Sequence, residues 1–361
     1  MKTSSTSTHE DPGADPQGRR WLRWILSWTP RPCGRWEWAL MRLFLAVLVF
    51  HSLQTARPFT YPDQPRPNGI ARVVDLSFLA KPGPVDLSAL PDLELPLLGA
   101  LRFHGPGWFD TVVVAVVVLG LLYAWGRALP LVIPLLALTH TLPWTYANSQ
   151  GFIHHGHQLV SLVLWTQAAV SWWYWIRFER RRGGADPPDG SDGAKPLPLR
   201  SYLLYYSQGV VALAYFTCAL TKLLASKGLW LVQSHHIAIE VVVAQRREFY
   251  KRLEHEDGFQ MTAAQWLLEH PWAALLLFNA GFLLELVAPL ALRARVFALV
   301  IGLLLVLFHR SVWVLMRLTF EMHEWLVIIL FLNLPFWIWL LARKAAGAGA
   351  GRLGRGARVG S

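Results

Sequence analysis

Charge is what this chain has least of. Only 16% of its residues are Asp, Glu, Lys or Arg, against about a quarter in ordinary soluble domains. The deficit lies in long apolar runs, so it points to a lipid solvent rather than to a larger core. Cysteine is scarce too. Cys33 stands in a basic stretch and Cys218 in an apolar run, and two thiols so placed give neither a disulfide framework nor a thiolate metal cluster. The chain has no Gly-x-Ser-x-Gly elbow, phosphate-cradling Gly-rich loop, Rossmann fingerprint or His-Glu-x-x-His motif. Their absence argues against a nucleotide-driven transporter. The first residues lack an early apolar stretch, so no cleaved signal peptide is expected.

Apolar and aromatic residues are plentiful: 54% of the chain is hydrophobic and nineteen residues are Trp. Many indoles stand at the ends of apolar runs (Trp36, Trp38, Trp108, Trp144, Trp172, Trp230, Trp325), where an amphipathic ring suits the headgroup level. The net charge of +11 does not indicate nucleic acid, because the basic residues sit at the edges of apolar runs and in the tails.

Crossing the hydrocarbon core as a helix takes about 20 apolar residues. That ruler places eight spans, at Trp36–Leu53, Trp108–Trp125, Ala128–Tyr146, His155–Ile176, Tyr202–Leu224, Pro271–Leu292, Val296–Val312 and Trp325–Leu341. The third contains Pro130, Pro134 and Pro143 and is expected to be kinked and packed against protein. No Gly or Pro marks the turn between the last two, only the charge between His309 and Glu324. The expected fold is therefore an all-α integral membrane bundle of about eight transmembrane helices in residues 36–342. A Pro-rich outer loop occupies 55–107, and an outer interfacial helical segment occupies 226–270, where His236, Ile239, Glu240, Val243 and Arg247 recur at helical spacing. The tails, 1–35 and 343–361, are expected to be disordered.

Lys and Arg set the expected orientation. Arg19, Arg20, Arg23, Arg31, Arg35, Arg127, Arg177, Arg180 to Arg182, Arg293, Arg295, Arg343 and Lys344 all fall on the side of the N-terminus. This predicts a multi-pass protein with both termini cytoplasmic. High Arg, Ala and Gly usage fits a bacterial inner membrane.

Several polar residues interrupt the apolar runs. Gln208, Tyr215 and Lys222 stand seven apart and so share one face of the fifth span, which should look toward protein or a water-filled cavity. Lys222 is either an interfacial anchor that snorkels to the headgroups or a desolvated amine able to act as a base. The fourth span opens on His154, His155 and His157, and His140, His236 and His309 are expected on the same side. Such imidazoles either bind a metal or merely hydrogen-bond. Glu285, near the middle of the sixth span, calls for a partner, with Arg42 and Arg317 as candidates, in an ion pair or a proton relay. Glu37 reads as interfacial.

The stretch Tyr215–Trp230, YFTCALTKLLASKGLW, resembles the signature of the horizontally transferred transmembrane domain (HTTM), the membrane half of vitamin K-dependent gamma-glutamyl carboxylases and their bacterial relatives. Looser similarities lie at Arg42-Leu43-Phe44, Glu285 to Pro289, Asn148 to His157, and Phe308-His309. The resemblance implies that Lys222 falls on the base that deprotonates a vitamin K hydroquinone. It further implies help from His155 or His157 and from His309. Tyr215, Gln208, His236 and Glu285 are then expected around the substrate. The cofactor it implies is a reduced quinone, with metal not expected. The partners are the lipid bilayer and a lipid-soluble small molecule, with no nucleic acid and no identified protein partner. The segment after Trp230 departs from the family pattern, with Gln233-Ser234-His235-His236 in place of small residues. With the sequence running only to Ser361 after the eighth span, the extracytoplasmic domain that helps hold a protein substrate in the full carboxylases is not expected. The expectation is thus a quinol-oxidising, carboxylase-like core. Its rivals are a histidine-ligated metal oxidase or desaturase, although His-x-x-His-His boxes are absent, and a non-enzymatic carrier or assembly protein.

Overall fold

The computed structural model describes residues 28–55, 108–149, 155–180, 196–252 and 258–342, with short pieces between 76 and 101. Helices occupy all eight expected spans. In order these are Arg35–Thr55, Trp108–Trp125, Leu129–Ser149, His155–Tyr174, Leu199–Ala225, Pro271–Val287, Arg295–Met316 and a helix that begins at Glu321. Tyr174 leads into a π turn, Trp175–Glu179, and Val287 into a 3-10 turn, Ala288–Leu292. Six of the eight are long and apolar enough to cross a membrane, and the chain is an all-α multi-pass membrane protein. The third and fourth spans fall outside those six. The third carries Pro134 and Pro143 inside the helix together with Thr139, His140 and Thr141, whose hydroxyls and imidazole lower its apolarity. Thr139 and Thr141 donate back to carbonyls three and four residues earlier, so their hydroxyls need no water.

The seventh span runs on to Met316 and the eighth starts at Glu321, each a few residues beyond the expected limits. Arg317 ends the seventh in the left-handed region, φ 53°, and its N–H closes on the Trp313 carbonyl. A non-glycine residue there costs about 1 kcal/mol, and because Arg317 takes that conformation no glycine announced the turn. The eighth span is not a single α-helix. Glu321–Val327 passes into a π turn at Ile328–Leu332, and Asn333, at φ 48°, breaks it before the helix resumes at residue 334.

The segment between the fifth and sixth spans forms a short helix at Trp230–Gln233, a 3-10 turn at Ser234–His236, and two helices at Ile237–Arg252 and Gly258–Glu269. Ala238, Val241, Ala264 and Leu267 are buried with Ala274 of the sixth span. Ile239, Glu240, Val243 and Arg247 face outward. The periodic stripe legible in the sequence is therefore the free face, and the small residues between its members make the packing face. In the outer loop the described pieces include a two-stranded hairpin pairing Leu93–Leu95 with Gly99–Leu101.

Chain direction alternates through the bundle, so the spans share two ends. One carries Arg35, Arg200, Arg293 and Arg295 (the arginine end). The other carries His51, His140, His157 and His323 (the histidine end). At the arginine end the chain leading into the first span is tied down. The Arg31 guanidinium donates to the Leu292 carbonyl at 2.6 Å, the Cys33 N–H to Ser201 Oγ at 3.0 Å, and Arg200 Nε to the Cys33 carbonyl at 2.6 Å. Glu37 is buried, not interfacial as its flanking position suggested. It pairs with Arg295 and accepts from Asn333 Nδ2 at 2.6 Å and from the Gly34 N–H at 2.9 Å. Burial, with the Glu37 carboxylate nearby, pushes the Cys33 thiol up, so it is held protonated.

The last two spans meet over Gly302. A methyl group there would lie 2.7 Å from Leu332 Cδ1 and 2.9 Å from Phe331 Cβ. Gly302→Ala should cost about 1–3 kcal/mol of overpacking. Gly209→Ala, whose nearest neighbour would be Leu292 Cδ1 at 4.0 Å, should be near neutral. Thermal unfolding in detergent separates the two, and equal midpoints would contradict this packing.

Candidate functional site

The fifth span supplies the centre of the site. Tyr215 and Lys222, two turns apart on one helical face, each take a partner from another span. Lys222 Nζ forms an ion pair with Glu285 of the sixth span, and its ammonium lies 5.6 Å from the Trp230 ring centroid. The Lys222 side chain is 31% exposed and that of Glu285 only 7%. Lys222 is thus tied inward while remaining reachable. Glu285 takes neither of the partners suggested by sequence. Arg42 sits against Gly126, and the Arg317 guanidinium lies 5.1 Å from the Trp313 ring centroid.

Tyr215 Oη shares a 2.7 Å hydrogen bond with His309 Nε2 of the seventh span, and both side chains are buried. The His309 ring continues to Phe320, with centroids 5.0 Å apart, and to His323 of the eighth span at 5.8 Å. His309 Nδ1 is buried with no hydrogen-bond partner among the described residues.

A second buried group lies between the first, third and fourth spans. Ser52 Oγ is 2.9 Å from His140 Nε2 and 2.8 Å from His157 Nδ1, while His140 Nδ1 is 3.0 Å from Ser161 Oγ. The His157 ring stacks on Trp144 with centroids 3.6 Å apart. One hydroxyl proton cannot serve two ring nitrogens. If Ser52 donates to His157, His140 must donate to Ser52 and accept from Ser161; the opposite polarity reverses every bond. The group is therefore a directional hydrogen-bond chain with two senses, the arrangement a proton relay needs.

The two groups abut at Gly156. A Cβ on it would lie 3.2 Å from Met322 Cβ and 3.4 Å from His323 Nδ1. The lack of a side chain there lets the start of the fourth span approach the start of the eighth, bringing the residue before His157 against His323.

The sequence-predicted residues thus divide. Lys222, Tyr215, His309, Glu285 and His157 gather at the histidine end. Gln208 does something else: its Nε2 donates at 2.7 Å to the Leu330 carbonyl, inside the π turn of the eighth span. A π turn displaces a carbonyl from its helical partner, and Gln208 satisfies it. His236 is exposed with its ring 4.0 Å from His235. His154 lies outside the described residues, as does the side chain of His155. Ser52, Ser161, Trp144 and His323 were not in the expected set. Serines in apolar helices are common, and nothing in spacing points Ser52 at two histidines. Tyr123 Oη donates to Gln167 Oε1 at 2.8 Å and Gln167 Nε2 to Ser207 Oγ at 2.9 Å, a further buried polar link among the second, fourth and fifth spans.

An apolar groove of about 410 Å³ opens between the first and eighth spans. Leu43, Phe44, Val47, Ile328 and Trp325 line it, with His51. His51 Nε2 is 2.9 Å from Glu321 Oε1, and the next residue is Ser52 of the buried chain. Among the described residues no three His, Cys, Asp or Glu side chains converge as a metal site would require. Set beside known protein families, curated proteins and solved structures, the chain matches none of them.

Proposed function

We propose that this protein is a membrane-embedded acid–base enzyme of the HTTM, carboxylase-like kind, acting on a lipid-soluble quinol with Lys222 as the base. The observation that carries the reading is the Lys222–Glu285 pair set two helical turns from the Tyr215–His309 hydrogen bond, on three different spans. Glu285, in contact with Lys222 Nζ, is the group placed to take the proton that Lys222 must lose before it acts. The neutral amine then takes the proton of a quinol hydroxyl. The O–H bond breaks as the N–H bond forms, and the electron pair stays on oxygen as a quinolate. Oxidation of that quinolate to the quinone passes two electrons to dioxygen, the acceptor supplied from solution. His309, with Tyr215 on Nε2, presents Nδ1 as a second hydrogen-bonding group. The Ser52–His140–His157 chain offers a route for the released proton. The apolar groove beside His51 suits the substrate's hydrocarbon tail, and placing the site at one end of the bundle suits a molecule with a polar head and an apolar tail.

The test is quinol turnover by purified full-length protein in nanodiscs. Lys222→Ala, checked for folding by size exclusion, should lower turnover by about 10²–10⁴-fold, the usual worth of a positioned base. Equal turnover in the variant removes Lys222 from the chemistry. Absence of turnover in well-folded wild-type protein sinks the enzymatic reading and leaves the carrier or assembly role.

A further inference from the structure

The arginine end holds a second site, remote from the Lys222 chemistry and independent of it. A cleft of about 510 Å³ opens there, lined by Arg35, Trp36, Trp38, Arg42, Leu129 and Arg200 among others. Three arginines line one opening, and no carboxylate does. The nearby Glu37 carboxylate is turned to Arg295, Asn333 and Gly34. A cleft lined by three cationic side chains and no carboxylate suits an anion.

Three further observations point the same way. Arg35, Leu129 and Leu199 are the first residues of the first, third and fifth spans, so three long helices present their N-termini around the cleft. Their dipoles add positive potential there, with the Leu131 and Ser201 N–H groups already closed on the Ala128 and Pro198 carbonyls. Trp38 is only 3% exposed, and its indole N–H is buried without an acceptor among the described residues. Arg42 Nε is likewise buried without one. The guanidinium of Arg42 is also held in place: a Cβ on Gly126, at φ +83°, would fall 1.8 Å from Arg42 Nη1. Glycine at the turn between the second and third spans leaves the space that this cation fills.

We infer that this cleft binds the phosphate headgroup of an anionic phospholipid. Phosphate oxygens accept from several guanidinium donors and helix N-termini at once. Trp36, 78% exposed, is the kind of residue that sits at headgroup depth. Basic pockets between transmembrane helices are a recurring way to hold such headgroups. A soluble phosphate shares the chemistry but gains nothing from acyl chains in the surrounding bilayer.

The test uses delipidated full-length protein, titrated with dioleoyl phosphatidylglycerol or dioleoyl phosphatidylcholine and read by native mass spectrometry. Phosphatidylglycerol should bind about tenfold tighter than phosphatidylcholine. Arg42→Gln with Arg200→Gln should abolish that preference, and Arg177→Gln, at an exposed position of the same end, should leave it intact. Arg35→Gln, also exposed, serves if the double variant misfolds and should reduce the preference severalfold. Equal binding of the two lipids, or equal loss in Arg177→Gln, overturns the proposal. Displacement of bound phosphatidylglycerol by inorganic phosphate at equal concentration overturns the lipid assignment.

Discussion

Glu285→Met is expected to destabilise the protein by about 3 kcal/mol, and adding Lys222→Met to it is expected to recover most of that loss. Removing one member of a buried pair leaves an uncompensated charge, typically at a cost of about 3–5 kcal/mol, whereas replacing both by apolar groups of similar volume is often neutral. The low end of the range applies because Lys222 is 31% exposed and can turn toward the interface. Its remaining inward contact would be the face of Trp230, which offers a cation about 0.5–2 kcal/mol. Reversible unfolding of the two single variants and the double variant in mixed detergent closes the cycle. If the losses simply add, Lys222 and Glu285 do not act as a pair and the site as described fails.

An effect of similar size is expected at the opposite end. Glu37→Ala should cost about 3–5 kcal/mol, because one buried carboxylate there gathers donors from three parts of the chain: Gly34 before the first span, Arg295 of the seventh and Asn333 of the eighth. Without it Arg295 keeps the Pro32 carbonyl at 2.8 Å and the face of Phe336, 3.9 Å from the ring centroid, but loses its only close negative charge among the described residues. Asn333 loses the acceptor that fixes its side chain at the helix break. Glu37→Gln should fall in between, since an amide oxygen still accepts while the charge is gone. Stability curves for the three proteins are the measurement, with proteolysis of the segment before Arg35 as a local readout. A loss below about 1 kcal/mol in Glu37→Ala would place the carboxylate among the weak surface pairs instead.

The spans were legible because a lipid solvent imposes length and apolarity on each helix separately. Trp108–Trp125 falls in the structure where the apolar run places it. What escaped was whatever depends on two elements at once. Lys222 and Glu285 are 63 residues apart, and no periodicity within either span names the other. Gln208 read as part of a functional stripe because its partner is a carbonyl freed by a π turn, a backbone feature with no composition of its own. Glu37 read as interfacial because its burial is created by the last two spans. The turn at Arg317 was hidden for a local reason, a left-handed residue that is not glycine. The histidines could be assigned to one end from span direction alone, but Ser52, which joins two of them, carried no signal.

The fastening of the first span has a consequence for how the protein is made. Arg295 follows Glu37 by 258 residues and Asn333 by 296. At a translation rate of about 5–20 residues per second, Glu37 waits roughly 15–60 s for both partners to be synthesised. Throughout that interval the first helix can occupy the bilayer only provisionally, its carboxylate kept near water. It reaches its final seat when the seventh and eighth spans insert beside it. Completion of the bundle is thus written into two spans made long after the first, and a nascent chain stalled before them presents the membrane with a carboxylate that lacks Arg295.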